Sequence, residues 1–373
     1  MKILIGDILS SSAQTLVNTV NCVGIMGKGI ALEFQKKFPD MYKDYIERCN
    51  KNEVKPGIPY IYKTLIPPQI VNFPTKDHWK SVSKVTDIEH GLKHLTAHYK
   101  EWGIKSLALP PLGCGNGQLE WKIVGPLIYR YLKELDIPVD MYAPYGTKPM
   151  ELTVQFLANG SSAELGKKEK YISAEIKPGW IGLVEILYRL EQQPYHWPVG
   201  RTIFQKIAYI STREGLPTGL EYQRGSFGPY AKDLKSIESK LINNNLLKEE
   251  RFGKMFMVKP GTRYDVVRKN YDRHFENWAK IIDKTTDLFS RMDTNQAEIV
   301  ATVIFAAEEL KHSEKTISES DVLKAVMNWK QKRRPSLSKG NVALTIRNLG
   351  MLHWLSVKPD PQFIGVEEDA VFA

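Results

Sequence analysis

Three short stretches of this chain hold the residue types best suited to chemistry. The first is NTVNCVGIMGKGIALEF (residues 18–34), in which Gly24, Gly27 and Gly29 crowd beside Asn18, Asn21 and Cys22. Glycines let a backbone approach a ligand closely, and the amides at the start of a following helix attract an anion. Neither common phosphate fingerprint is present. A Walker loop needs a hydroxyl residue after its lysine, whereas Gly29 follows Lys28, and the GxGxxG pattern is absent. One or two glycines would read more simply as a tight turn; three with flanking polar residues favour a binding loop. The second stretch, PPLGCGNGQLEW (110–121), repeats the pattern after an apolar run. Two such turns at one end of a sheet can clamp a diphosphate. The third, NFPTKDHWK (72–80), carries Lys76 and Lys80. An ordinary lysine, with a pKa near ~10.4, is a poor nucleophile until burial or neighbouring cations change that. Judged by composition alone, such a lysine is a solvated surface charge.

Elements must bring these stretches together. The runs MKILIGDI, TLVNTVNC, IPYIYKTL, QIVNFPT, SLALPPLG and VDMYAPY read as strands. Helical stretches alternate with them: KGIALEFQKKFPDMYKDYIERC, VTDIEHGLKHLTAHYKEWG and EWKIVGPLIYRYLKEL. The second places Ile88, Leu92 and Leu95 on one face, and the third Ile123, Leu127 and Tyr131. Strands alternating with crossover helices predict a three-layer α/β/α domain with a mixed, largely parallel sheet. Ligands of such sheets bind at the carboxyl ends of the strands, where every polar or glycine-rich stretch falls.

The chain has 373 residues, enough for two domains, and a net charge of +10. Lys and Arg outnumber Asp and Glu by 23 to 18 up to residue 177 and by 29 to 24 beyond it, so no separate basic tail exists. Moderate, evenly spread positive charge suits anionic partners. Cys22, Cys49 and Cys114 have no paired spacing, which argues against structural zinc and a disulfide framework and fits a reducing compartment. The opening MKILIGDILSSS reads as a first strand, and no run approaches a membrane span, so a cytoplasmic protein is expected. Residues 1–155 are expected to form the first domain, 156–178 a polar linker, and 179–373 a mostly helical second domain. Within the latter, TIFQKIAYISTREG, YAKDLKSIESKLINNNLLKEE and FGKMFMVKPGTRY follow a winged-helix order. Lys232, Lys235, Lys240 and the run KQKRRP (330–335) could meet phosphates, although Asp233, Glu238, Glu249 and Glu250 interleave with the first three.

Taken in order, the GDI turn, NCVGIMGKGIALEF, NFPTKDHWK and LPPLGCGNGQLEW resemble a macrodomain, and more narrowly that of the DarG-type antitoxins, a branch akin to the human terminal ADP-ribose glycohydrolase. The resemblance covers residues 1 to about 150. It implies that Asp7 accepts from the adenine amino group with Ile8 beside it. It also implies that Asn21 and the loop of Cys22, Val23, Gly24, Met26, Gly27, Lys28 and Gly29 contact the distal ribose and diphosphate. Thr75 would line the same site. Leu112, Gly113, Cys114, Gly115, Asn116 and Gly117 would close from the opposite side, and Tyr142 would lie against adenine or ribose. Lys80 is implied to be the nucleophile at the anomeric carbon of the distal ribose, with no cofactor and no metal.

One departure stands out. The human enzyme has an acid in the second glycine loop where this chain has Gly117, and the nearest acid is Glu120. The family pairs its macrodomain with a region that neutralises a DarT-type ADP-ribosyltransferase. The implied function is therefore an antitoxin that removes ADP-ribose from thymidine bases of single-stranded DNA and binds its toxin through the second domain. A non-catalytic ADP-ribose reader, an ADP-ribose-1″-phosphate phosphatase and a winged-helix regulator are the alternatives.

Overall fold

The computed structural model describes residues 1–161, 176–253, 255–313 and 316–361. The chain divides into two compact units, Met1–Ala174 and Glu175–Ala373. Of the stretch expected to be a linker, residues 162–175 lie outside the described residues.

In the first unit, β1 (Lys2–Leu4), β2 (Thr15–Val20), β3 (Tyr60–Tyr62), β4 (Gln69–Pro74), β5 (Leu107–Leu109) and β6 (Val139–Tyr142) form one sheet in the order β1-β6-β5-β2-β4-β3. Every pairing is parallel except β3 with β4 at the edge. Helices cover both faces, as the alternation of side chains along β2 requires. Leu16 and Val20 pack with α1 (Gly29–Lys37) and α2 (Pro39–Asn50), while Val17 joins the opposite core with α3 (Val85–His98) and α4 (Trp121–Leu132). Each such side chain, once fully buried, contributes about 1.5–3 kcal/mol. On α3, the expected stripe of Ile88, Leu92 and Leu95 is buried, and Gly91 lets the helix sit directly on the Phe73 ring.

Two expectations change. The stretch from Lys28 to Cys49 is two helices, because Pro39 bars the preceding Phe38 from helical geometry (φ −129°, ψ 67°) and starts α2 at its own first position. On α4 the buried face is Val124, Leu127, Ile128 and Leu132, with Ile123 and Tyr131 only half-covered. A further helix, α5 (Val154–Ser161), occupies the first residues of the expected linker.

The second unit is mostly helical. α6 (Pro178–Glu191), α7 (Arg201–Arg213), a short hairpin of β7 (Gln223–Gly225) and β8 (Gly228–Tyr230), α8 (Leu234–Asn243), and the hairpin β9 (Leu247–Phe252) with β10 (Met255–Pro260) follow in turn. An antiparallel bridge between Gly200 and Met257 adds a short third partner to the last hairpin. α9 (Tyr264–Arg268), α10 (Asp272–Ser290), α11 (Thr294–Ser313), α12 (Glu319–Trp329) and α13 (Lys339–Met351) complete it.

The DNA-groove reading of this unit is weakened, although Lys232, Lys332 and Arg334 stay exposed. No residue of α8, the helix that would enter a groove, is exposed. In the basic run, Lys330 and Arg333 both bind Glu298, which is 2% exposed, and Lys330 also donates to the Ser226 carbonyl. Lys240 lies over the Trp180 ring.

Candidate functional site

The site is built where β1, β2, β4, β5 and β6 end. Parallel pairing of β1 with β6 sets Leu4 beside Tyr142, so the turn after β1 stands against the end of β6. Gly6 there adopts φ +157°, and a Cβ on it would lie 4.0 Å from the Tyr142 ring. Asp7 is exposed and caps the short turn after it, its Oδ1 accepting from the Leu9 amide at 2.9 Å. Ile8 is 2% exposed and belongs to the core, so it supports the turn from below.

The first glycine loop follows β2. Asn21 turns inward. Its Nδ2 donates to the Ile25 carbonyl at 2.5 Å, and its Oδ1 accepts from the Val23 amide and the Tyr45 hydroxyl. The residue thus braces the loop. Asn18 is likewise buried, donating to Asn72 Oδ1 across β2 and β4. Met26 is a core residue, while Gly27, Lys28 and Gly29 are exposed. Gly24 has φ +76° and Gly29 φ +59°, conformations that favour glycine. No side chain caps α1 at Lys28, so its first-turn amides have no partner from an N-cap side chain.

The second glycine loop lies opposite. Gly113 has φ +73°, and Leu119 closes the turn by donating its amide to the Gly113 carbonyl. Leu112 and Gly117 are buried; Gly115 and Asn116 are exposed. A Cβ on Gly29 would lie 3.3 Å from Asn116 Nδ2, so the two loops meet at that point.

Between them runs the lysine-bearing segment. Thr75 donates its amide to the Val20 carbonyl, and Cys22 donates its own to the Asp77 carbonyl, which ties this segment to the first loop. Ser83 donates to the Gly117 carbonyl, which ties it to the second. Lys76 is only 9% exposed, and its Nζ donates to the Asn116 carbonyl at 3.1 Å. Lys80 is exposed, and its ammonium lies 5.0 Å over the Trp79 ring. Of the two lysines, Lys76 therefore stands between the loops and Lys80 stands outside them. Nothing in the sequence sets Lys76 apart. Its burial depends on loops some 40 residues away in sequence, which spacing alone does not reveal.

Position 117 cannot carry the expected acid. A Cβ there would fall 2.2 Å from Ser83 Oγ and 2.4 Å from the Gly113 carbonyl oxygen. Glu120 begins α4 and pairs with Lys122 at 3.0 Å. The cysteines are held as thiols. Burial, with Asp77 next, pushes Cys22 up to about 12, and burial alone pushes Cys114 to about 12. Among the described residues, no group of three or more His, Cys, Asp or Glu side chains could hold a metal ion. No helix among them is long and apolar enough to cross a membrane.

Comparison with known proteins adds a family to this geometry. Residues 17–128 match the Macro domain model. A protein of Thermus aquaticus named DNA ADP-ribosyl glycohydrolase is 34% identical over 247 residues, 65% of this chain and 64% of that protein. One of the same name from Mycobacterium tuberculosis is 33% identical over 240 residues, 62% of this chain and 64% of that protein. A Thermosipho africanus protein, named as a fusion of DNA ADP-ribosyl transferase and DNA ADP-ribosyl glycohydrolase, is 41% identical over 177 residues, 42% of this chain and 46% of that one. The chain thus spans less than two thirds of the length of these relatives. Among solved structures, the macrodomain of Thermus aquaticus DarG is 42% identical, covering 38% of this chain and 97% of that one with a TM-score of 0.37. The N-terminal unit of this chain is a macrodomain, similar in sequence to those of proteins named DNA ADP-ribosyl glycohydrolase.

Proposed function

We propose that this chain hydrolyses ADP-ribose from thymidine bases of single-stranded DNA, with a lysine of the TKDHWK segment as nucleophile. The observation that carries the reading is Lys76, an almost buried ammonium reaching from one glycine loop's neighbour to the backbone of the other. It has the better claim to the role first assigned to Lys80, because Lys80 lies over Trp79 at the surface. The diphosphate would rest on the uncapped start of α1 and the second loop. Asp7 and Tyr142 would flank the adenosine end.

The unprotonated Lys76 amine attacks the anomeric carbon of the distal ribose. As its C–N bond forms, the glycosidic bond to the base breaks, and the base leaves with the electron pair and takes a proton. Water then attacks the same carbon, releasing ADP-ribose and the free lysine. Capture of the adduct by reduction, followed by peptide mapping, tests this step. Label on Lys76 is expected, and label on Lys80 or on no lysine counts against it.

The closed position 117 supports a second reading, a non-catalytic ADP-ribose reader, because the acid of the human enzyme has no room there. Tight ADP-ribose binding with no release from modified DNA would select it.

The second unit is proposed to bind and neutralise a DarT-type ADP-ribosyltransferase. The similarity to the Thermus aquaticus protein spans 65% of this chain, more than the first unit holds, and the Thermosipho africanus relative is named as a transferase–glycohydrolase fusion. Full-length Lys76→Ala protein separates the two activities: it is expected to inhibit the transferase without removing its product. Loss of inhibition with that variant would place neutralisation in the first unit.

A further inference from the structure

Residues 78–80 form an exposed turn that the proposed chemistry does not use. Its feet are fixed on both sides of the cleft. Upstream, the Lys76 and Asp77 carbonyls accept from the Cys22 Sγ and amide. Downstream, Ser83 is held by the Gly117 carbonyl. The turn itself closes by the Ser81 amide donating to the His78 carbonyl. It therefore stands on the rim where the two glycine loops converge, three residues from Lys76.

The turn presents an aromatic layer to solvent. Trp79 is 42% exposed, a large aromatic side chain left open on the rim. The His78 ring stacks on it with centroids 5.5 Å apart and planes at 28°. His78 Nδ1 accepts from the Lys80 amide at 3.1 Å, which fixes the imidazole on the turn and the plane of the stack with it. Lys80 lays its ammonium over the indole, and Lys84 is exposed a turn further on. Aromatic faces beside cations, rigidly held, are how sequence-tolerant sites take unpaired bases: the base stacks and the cation meets a phosphate.

We propose that His78 and Trp79 form a stacking platform for an unpaired nucleobase flanking the modified thymidine, with Lys80 turning from the indole face to a strand phosphate as the base takes its place. A nucleic-acid strand fits this surface by charge, because Lys80 lies over the indole and Lys84, five residues along the chain from Trp79, is exposed. The inference rests on the DNA substrate proposed above. It adds that the strand is gripped next to the cleft and not only through its ADP-ribose. It also gives Lys80 a role that leaves the chemistry to Lys76.

Binding of single-stranded oligothymidylate without ADP-ribose to the full chain tests the platform independently of turnover. Quenching of tryptophan fluorescence that rises with the strand and weakens with salt is expected. Trp79→Ala should abolish the quench and weaken strand affinity about five- to 150-fold, the range typical of one stacked base. Trp79→Phe should retain most of the affinity, and free ADP-ribose should bind both variants as it does the parent, which reports an intact cleft. On modified substrates, the preference in KM for an oligonucleotide over the ADP-ribosylated mononucleotide should collapse in Trp79→Ala. An unchanged strand affinity in Trp79→Ala would overturn the proposal, as would an equal loss of ADP-ribose binding. If the parent binds the strand through Trp79 but releases no ADP-ribose from it, the platform stands and the hydrolase reading fails.

Discussion

The two units differ in how most of their buried charges are held. In the second, three buried carboxylates are tied to cations of the same unit, while the buried Lys206 donates to the Pro229 carbonyl. Glu185 accepts from Tyr264, Arg189 and Arg268, Glu298 from Lys330 and Arg333, and Glu319 from Arg347. Against the raising effect of burial, the hydrogen bonds from Arg268, Tyr264 and Arg189 hold the Glu185 carboxyl below its usual range. In the first unit, the buried Lys76 reaches a backbone carbonyl across a cleft between two loops. A cation closed on a buried carboxylate fixes a fold, because leaving either partner alone costs several kcal/mol. A cation held by a loop carbonyl can exchange that partner for a ligand. The difference explains why basic residues of the second unit that read as phosphate contacts in sequence instead serve its fold.

The contrast can be broken by substitution. Glu298→Ala strands Lys330 and Arg333 and should cost about 3–5 kcal/mol of stability. Chemical denaturation should show that loss in the second unit, with ADP-ribose binding retained. A loss below 1 kcal/mol would mean the cluster is not the internal clamp described. Gly117→Asp forces a Cβ into the Gly113 carbonyl and the Ser83 hydroxyl. It should destabilise the second loop by about 1–3 kcal/mol and weaken ADP-ribose binding at least tenfold, as calorimetry would measure. A gain in turnover instead would mean that the loop opens to admit an acid.

Two buried groups of the second unit give it opposite pH slopes. Burial, with Glu249 next, pushes Glu238 up to about 8, so the folded chain keeps a proton that the unfolded chain releases. Its contribution is largest at low pH and is lost as pH rises from the ordinary carboxylate range through about 8. Burial and the neighbouring Lys330 lower Lys206 to about 7, with Glu298 opposing them. The penalty for its burial is complete below that value and is relieved as pH rises towards 10.5. Glu238→Gln should flatten the falling limb of the stability profile below pH 8 and leave the rising limb above it; persistence of the falling limb would assign it elsewhere. Smallest of all, Lys332→Ala, at an exposed position of the basic run, should change stability by less than about 0.5 kcal/mol.

Much of the first unit was legible in its sequence, because short apolar runs that end in glycine and asparagine mark strands whose carboxyl ends carry loops. That logic gave the order of elements and both glycine loops. It did not give the direction of single side chains. Asn21 sits in the right loop, yet its amide is spent on Ile25, Val23 and Tyr45. Lys76 and Lys80 share one motif, and only the packing of the Asn116 loop separates the buried one from the exposed one. In the second unit, KQKRRP reads as a phosphate patch until Glu298, more than 30 residues upstream, captures two of its cations. Patterns report which face of an element is apolar; they do not report which distant carboxylate or carbonyl meets a given ammonium.

The central claim is that the lysine between the loops does the chemistry. Release of ADP-ribose from single-stranded DNA modified on thymidine, followed over time with the parent chain, Lys76→Ala and Lys80→Ala, tests it most directly. Turnover is expected in the parent, with a loss of about a thousandfold or more in Lys76→Ala, equivalent to roughly 4 kcal/mol of transition-state stabilisation. At most about a tenfold loss is expected in Lys80→Ala, expressed mainly in KM. An inactive Lys80→Ala beside an active Lys76→Ala would contradict the claim.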